Sequence, residues 1–360
     1  MNLPPDPRCF AALGGDAFAD LACQLIEPPA AVQTVEGPNA RMTALVERYA
    51  QALERKEEQA VRASLRAGPT PRAYRAMVEA LERALEGGPA AVGARLFAIP
   101  VVILAGGRAG ATVPGALPDV ARLRDVLAQH AALGPVVNFG LGNALCSAEA
   151  LSALPLTQVR ALAQGAAADA QADRLFDLPP AEVHLPMSEA SVHLRFLAGA
   201  AVSPADAPSF VETASAISTW GVAFTRELSA QLQIEGVSLL AIPRPPAPLL
   251  SAQASGAIAA EDLALQAFVS RELRRFRSEV GEPDVAIAAL SSGALGLRLA
   301  SVFVENRVFV HERRLQPSED WAGVLGEVVQ LLEECRIENL HLEPGVMDPA
   351  AFRAGTLTRH

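Results

Sequence analysis

The chain has 360 residues, of which 51% are hydrophobic and 19% are charged, and its formal net charge is −10. This composition supplies enough apolar residues for a sizeable core and excludes disorder over most of the chain, while the length predicts about two domains. The acidic balance argues against a protein that binds nucleic acid by neutralising phosphates, and against docking on an anionic membrane.

Residues 1–92 are predicted to form an N-terminal arm and a helical hairpin. Apolar residues between Phe10 and Ile26 favour one short helix, which Pro28 and Pro29 would end. Two apolar stripes at helical spacing follow, and glycines and prolines separate them. The stripes consist of Met42, Leu45, Val46, Tyr49 and Leu53, and of Met77, Val78, Leu81 and Leu85. Homo-oligomerisation through these stripes is one interpretation.

Residues 93–185 are predicted to form a first α/β half. A short apolar run, FAIPVVIL, favours a buried strand, although its Pro100 suits an edge strand or a bulge. A helix, a second strand and a further helix are expected to follow it. The predicted bounds are strand 97–104, helix 117–133, strand 135–139 and helix 156–164.

Residues 186–345 are predicted to form a second α/β half, and residues 346–360 a tail. Alternating residues around the polar turn Glu305–Arg307 indicate a β-hairpin. Ser318 is a candidate N-cap for the last helix, with Glu319 and Asp320 favouring its positive end. The predicted strands are 192–202, 237–242, 285–290, 295–304, 308–311 and 337–342, and the helices are 208–232, 260–279 and one that follows Ser318.

Two stretches of the chain resemble each other in layout. Residues 135–164 and 237–268 each contain a strand, a turn rich in glycine or proline, a Ser-Ala pair and a helix, and each follows a strand and a helix. We therefore predict an α/β (α+β) fold with two related mixed-sheet halves behind the helical hairpin. If the repeat is real, the groove between the halves is the natural place for a ligand or partner.

Glycine and asparagine follow predicted strands at two places. Ala105–Gly110 lacks the spacing of known phosphate-binding glycine loops, and Asn138–Asn143 is better explained by an irregular loop. The alternative is a crevice at the strand ends, where two arginines would hold an anionic ligand. The candidate ligand-binding residues are Gly106, Arg108, Asn138, Asn143 and Arg244.

No catalytic residue is predicted, and we expect neither a metal site nor a cofactor. His311, Glu312, His341 and Glu343 end two strands and would converge only in part if those strands were neighbours; surface polar residues are the alternative. Cys146 is either a thiolate stabilised at a helix start or a buried, inert thiol. Trp220 and Trp321 are interpreted as core residues.

Cysteine usage and the N-terminus favour a cytoplasmic protein. The four cysteines Cys9, Cys23, Cys146 and Cys335 form no close pair, as expected in a reducing compartment. Residues 1–7 lack the pattern of a signal peptide, and the longest apolar runs are about half as long as a membrane helix. We therefore expect neither a membrane nor a nucleic acid as partner.

The layout of residues 95–345 resembles an uncharacterised family of bacterial proteins of unknown function. The similarity is carried by VHLRFLAGAAV before a long helix, LLAIPRPPAPLL, the strands of IAALSSGALGLRLASVFVENRVFVHERR, and the closing helix with CRIENLHLEP. The resemblance implies a cytoplasmic bacterial protein and assigns no catalytic residue.

Two functional hypotheses remain open from the sequence. The first is a non-enzymatic interaction, regulatory or assembly-accessory protein with a protein partner, because the chain contains no motif that catalysis would need. The second is a binder of, or an enzyme acting on, a small anionic ligand in the strand-end crevice.

Overall fold

The computed structural model describes residues 38–66, 70–86, 94–136, 138–168, 178–185, 189–202, 216–301 and 308–354. Their helices are α1 (Pro38–Glu54), α2 (Glu58–Arg66), α3 (Pro71–Leu85), α4 (Val120–Gln129), α5 (Ala148–Ala153), α6 (Leu156–Ala168), α7 (Ile217–Leu232), α8 (Leu249–Glu279), α9 (Trp321–Glu334) and α10 (Pro349–Ala354). Their strands are β1 (Ala94–Gly107), β2 (Thr112–Val113), β3 (Asn138–Cys146), β4 (Val183–His184), β5 (Ser191–Val202), β6 (Val237–Pro243), β7 (Ala247–Pro248), β8 (Asp284–Leu290), β9 (Ala294–Ala300), β10 (Val308–Arg314) and β11 (Leu340–Met347). The predicted α/β class with an N-terminal helical region is confirmed.

The described residues belong to two compact units. The first unit contains residues 38–66 and 72–260, and the second contains residues 261–354 together with residues 70–71. The boundary therefore falls within α8, whereas the sequence predicted it between residues 185 and 186. The observed boundary differs from the predicted one because β1 and β3, which precede residue 185 in the sequence, pair in one sheet with β5 and β6, which follow it.

The first unit is organised around β1, which lies inside its sheet. The strand order is β3-β5-β1-β6, all neighbours are antiparallel, and β7 continues the pairing of β1 beyond β6. Pro100 was expected at an edge or a bulge but lies in this central strand. It occupies the gap between β6 and β7, where its carbonyl oxygen accepts a hydrogen bond from the backbone N–H of Arg244 at 2.8 Å. A missing N–H is therefore tolerated at this position.

Helices cover both faces of this sheet. Alternate residues of β1 point to opposite faces, so that Ala98 packs in one core and Ile99 in the other. Helices α1–α3, α5, α6 and the start of α8 pack on the first face, and α4 and α7 on the second. The region predicted as a helical hairpin is thus three helices. Because Leu45 and Leu81 are buried within this unit, the stripes predicted for oligomerisation are already covered.

The two similar stretches interleave within the sheet instead of forming separate halves. The strands that precede the two stretches, β1 and β5, pair with each other at the centre. The strands within the stretches, β3 and β6, lie outside, and each pairs with the strand that precedes the other stretch. The helices α4 and α7, which follow β1 and β5, share one face. Strand order and helix faces are therefore symmetric between the stretches.

Gly199 of β5 provides a test of the central packing. A Cβ atom there would lie 2.5 Å from Cζ of Phe97 and 2.7 Å from the carbonyl oxygen of Gly140. We expect Gly199→Ala to lower the free energy of unfolding by about 1–3 kcal/mol, measured by chemical denaturation. The control is Gly165→Ala in α6, where a Cβ would meet nothing within 4 Å and a gain of about 0.5–1 kcal/mol is expected. Equal stability of the two variants would contradict this packing.

The second unit is built on a sheet with the order β10-β9-β8-β11. β8 and β9 are antiparallel, as are β9 and β10, while β11 runs parallel to β8. The second half of α8 packs with α9 on one face, and Phe352 of α10 lies on the other. The predicted pairing of β9 with β10 is confirmed, and the turn between them lies outside the described residues. Cys9, Cys23 and the helix predicted between Phe10 and Ile26 also lie outside the described residues.

The N-cap of α9 is Asp320 and not Ser318. The side chain of Asp320 accepts a hydrogen bond from the N–H of Gly323 at 3.0 Å. The helix therefore begins two residues later than predicted. The predicted N-cap was wrong because Ser and Asp are both strong caps, and the position of the first apolar residue that packs, Trp321, decides between them.

Arg313 is the most buried cation of the second unit, with 1% of its side chain exposed. Its guanidinium group donates hydrogen bonds to both carboxylate oxygens of Glu319, at 2.5 and 3.2 Å. It also donates twice to Oδ1 of Asp262 on α8, at 2.6 and 3.0 Å. The triad ties β10 to α8 and to the segment that precedes α9.

Removing Arg313 should leave a buried carboxylate without its cation. We expect Arg313→Met to lower the free energy of unfolding by about 3 kcal/mol or more, measured by urea denaturation with Trp321 fluorescence. Arg314→Met is the control, because the Arg314 side chain is exposed and should change stability by less than about 0.5 kcal/mol. Comparable losses in both variants would show that the triad does not stabilise this unit.

Candidate functional site

The residues predicted for a strand-end crevice are dispersed over the first unit. Gly106 lies at the end of β1. Arg108 directly follows this strand, and its backbone N–H donates a hydrogen bond to the carbonyl oxygen of Gly236 at 2.9 Å. Arg244 lies beside Pro100, and the six residue steps from Pro100 to Gly106 span about 20 Å of β1. The two arginines therefore do not form the predicted clamp.

The asparagines of the predicted crevice do not join these arginines. Asn138 starts β3 opposite Val202, and its side-chain oxygen accepts a hydrogen bond from the N–H of Phe139 at 2.8 Å. Asn143 lies in the irregular part of β3 and is exposed. The prediction assumed parallel strands, whose carboxyl ends share one edge; in this antiparallel sheet the ends alternate.

The histidine and glutamate cluster considered for the second unit does not form. His311 and Glu312 lie on β10, whereas His341 and Glu343 lie on β11 at the opposite edge of the sheet. Burial lowers the pKa of His311, and the nearby guanidinium groups of Arg271 and Arg313 lower it further. No group of three or more His, Cys, Asp or Glu side chains in the described ranges could hold a metal ion.

Three other interpretations are decided by burial. The thiol of Cys146 donates a hydrogen bond to the carbonyl of Phe196 at 3.3 Å, and burial raises its pKa to about 12. It is therefore the inert, protonated thiol of the two alternatives. Trp220 and Trp321 are buried in the cores of the first and second units, as predicted.

No helix among the described residues is long and apolar enough to cross a membrane.

The first unit contains a cleft beside the covered face of its sheet. It encloses about 520 Å³, including the space at its open side. Its walls come from α2, α3, α5, α6, β1 and the start of α8. The lining residues are Arg62, Glu82, Leu85, Glu86, Leu96, Leu151, Ser152, Leu154, Leu156, Val159, Ala163, Pro248, Leu249, Leu250 and Gln253. Both similar stretches of the chain contribute to these walls.

Two carboxyl groups, of Glu82 on α3 and of Glu86 directly after α3, lie in this mainly apolar cleft. Glu82 is only 9% exposed, and its carboxyl oxygens accept hydrogen bonds from the backbone N–H of Ser251 at 2.7 Å and from its hydroxyl at 2.8 Å. Burial raises the pKa of Glu82 to about 7, although the bonds from Ser251 oppose this shift. Glu82 thus satisfies an N–H in the first turn of α8, where no partner exists within the helix.

Glu86 is the residue that follows α3, and its backbone N–H binds the carbonyl oxygen of Glu82 at 3.0 Å. Burial raises the pKa of Glu86 to about 7 as well, and the positive charges of Arg95 and Arg83 oppose the shift. The closest approach of Arg95 is 3.9 Å, from its Nε to Oε2 of Glu86, which is long for an ion pair. Each carboxyl group also raises the cost of ionising the other, because like charges repel.

The remaining polar side chains of the cleft are engaged with one another or with the backbone. Arg62 donates to Glu58 at 2.9 Å and to the carbonyl of Leu154 at 2.7 Å. At the rim, the hydroxyl of Ser152 donates to Oε1 of Gln253 at 3.0 Å. This bond joins α5 to α8, the helices that follow the strands within the two stretches.

Sequence reasoning missed Glu82 and Glu86, although a pattern for them exists. Both lie next to stripe residues of α3, Glu82 after Leu81 and Glu86 after Leu85. Acidic residues four apart on the flank of an apolar stripe share a helix face with it. That spacing predicts carboxyl groups at the border of a core; it does not predict which elements close over them.

Comparisons with known proteins give no relative for this chain. No family model, no curated protein and no solved structure matches it.

The raised pKa values make the stability of the first unit depend on pH. The folded state holds protons on Glu82 and Glu86 up to about pH 7, whereas the unfolded chain releases them near pH 4.5. Stability contributed by the protonated form is therefore complete below about pH 4.5 and lost as the pH rises to 7.

We expect Glu82→Gln to remove much of this loss. Wild-type protein should lose roughly 3 kcal/mol from Glu82 between pH 4.5 and 8, and the variant should not. The measurement is urea denaturation across this range. Glu79→Gln is the control, since this carboxylate of the same helix is 51% exposed. If Glu82→Gln and wild type show parallel pH profiles, Glu82 does not titrate in this range.

Proposed function

We propose that the first unit binds a small, largely apolar molecule in the cleft, and that the protein is a non-enzymatic regulatory or interaction protein that responds to this ligand. A cytoplasmic location and a protein partner are part of the same proposal. The observation that carries it is the combination of apolar walls with a few convergent polar groups in one enclosed space.

The lining of the cleft supports a ligand site. Pockets for small molecules typically have mainly hydrophobic walls, with few polar groups that orient the ligand. Leucines from α5, α6 and α8 supply much of the wall of this open cleft. The perturbed carboxyl groups are a further feature of functional sites.

The alternative of an anionic ligand at the strand ends has little support. Its residues occupy different parts of an antiparallel sheet, and no bidentate clamp is formed by Arg108 and Arg244. A carboxyl-lined cleft also disfavours an anion, because the negative charges would repel. The proposed ligand site is therefore the cleft and not the predicted crevice.

Ser152 offers a way to close the cleft without disturbing the core. It is exposed and lies at the rim, and its neighbour Ala153 is exposed on the same helix but does not line the cleft. We expect Ser152→Trp to weaken ligand binding at least tenfold and Ala153→Trp to leave it unchanged. Isothermal titration of the full chain with octan-1-ol, octylamine and octanoate supplies three probes with one common tail.

Binding of at least one probe with a stoichiometry near one, lost in Ser152→Trp, is the expected result. If none of the three binds, or if Ser152→Trp binds as wild type does, the cleft is not the ligand site. Thermal melting of both variants shows whether the introduced tryptophan has unfolded the unit.

A further inference from the structure

The charges of the cleft do not balance among the described residues. Arg62 is neutralised by Glu58, and Glu86 has Arg95 at 3.9 Å. Glu82 accepts hydrogen bonds from Ser251 but forms no ion pair within the described part of the chain. The ionised form of this nine-tenths buried carboxyl group is therefore stabilised only by hydrogen bonds at the N-terminus of α8, and a cation in the cleft would stabilise it further.

We propose that the ligand of the cleft is an amphiphilic cation, an alkylamine or amidine, whose charged head lies against Glu82 and Glu86 and whose hydrocarbon part contacts the leucine walls. This inference rests on the function proposed above and specifies its ligand class. It follows from the position of the two carboxyl groups, which lie four residues apart at the end of α3 and line the same cleft.

Hydrogen-bond capacity at Glu82 permits such a head group. Each carboxylate oxygen accepts about two hydrogen bonds. Oε1 and Oε2 each receive one from Ser251, and the backbone N–H of Leu250 also donates to this carboxyl group. The remaining acceptor sites suit the several N–H donors of an ammonium or amidinium group. A charge-assisted bond of this kind is stronger than one between neutral groups.

The apolar part of the ligand has a matching surface. Leu151, Leu154 and Leu156 of the α5–α6 segment lie on one wall, and Leu249 and Leu250 lie at the start of α8. Burial of a hydrocarbon chain against such a wall contributes about 0.8 kcal/mol per CH₂ group. An inorganic cation would gain nothing from this wall, so the combination favours an organic one.

Binding of a cation should release protons. The groups that face the carboxyl pair are Arg62 from α2, Arg95 from β1, Arg83 and Tyr74 on α3 itself, and the first turn of α8 through Ser251. With both pKa values near 7, about half of each carboxyl group is protonated at pH 7. A bound ammonium group favours the ionised forms, so up to about one proton in total is released.

The test compares the three octyl probes on the full chain. We expect octylamine to bind at least tenfold more tightly than octan-1-ol at pH 8, and octanoate to bind most weakly. Octylamine stays charged from pH 5.5 to 8, so its affinity should rise at least tenfold over this range as competing protons leave, while that of octan-1-ol stays constant. Titrations in phosphate and in Tris at pH 7 measure the proton release.

Charge-neutral variants assign the effect to the two carboxyl groups. In Glu82→Gln/Glu86→Gln, octylamine and octan-1-ol should bind equally, with no dependence on pH and no proton release. Glu79→Gln should behave as wild type does. Since octan-1-ol binding reports the apolar cleft alone, its retention in the double variant shows that the cleft is intact.

The outcomes separate this inference from the function it rests on. If octan-1-ol or octanoate binds wild type as tightly as octylamine does, the cleft is a ligand site but the cationic ligand class is wrong. The same holds if the preference for octylamine persists in the double variant or does not change with pH. If no probe binds, the proposed function fails first and the ligand class fails with it.

Discussion

The antiparallel ladder between β1 and β5 is the constraint on which the first unit depends. It joins twelve residue pairs, from Ala94–Val202 to Ala105–Ser191, and both strands bury side chains on two faces. β3 pairs with β5 and β6 pairs with β1, so this ladder joins the two outer strands into one sheet. The side chain of Phe97 packs closely against Gly199, its partner in the ladder. The helices pack on the two faces of the sheet that contains this ladder.

The ladder also explains where the cleft lies. α5 and α8 follow the two outer strands and reach the same face of the sheet, so their first turns approach each other from the two stretches. The N-terminal helices then close the third side, and α3 places Glu82 against the start of α8. A site built in this way needs residues from three distant segments, which only the tertiary fold brings together.

The sequence therefore predicted the local elements better than the site. Apolar runs and stripes placed β1, β5, β6, α7 and α9 close to their true positions, because their periods reflect burial on one or two faces. The direction of pairing was not encoded in those periods, so a strand-end crevice was expected where Arg108 and Arg244 are in fact about 20 Å apart along the sheet. The cleft was missed for the same reason, although the groove between the two stretches was considered.

Helix capping does not by itself account for an ionisable group at Glu82. A glutamine there offers a carbonyl oxygen to the N–H of Ser251 and an amide to its hydroxyl, without the cost of burying a charge. The carboxyl group instead keeps a pKa of about 7 and has a second one, Glu86, a turn away in the same cleft. In the proposed site, a proton and a ligand cation would therefore compete for this pair.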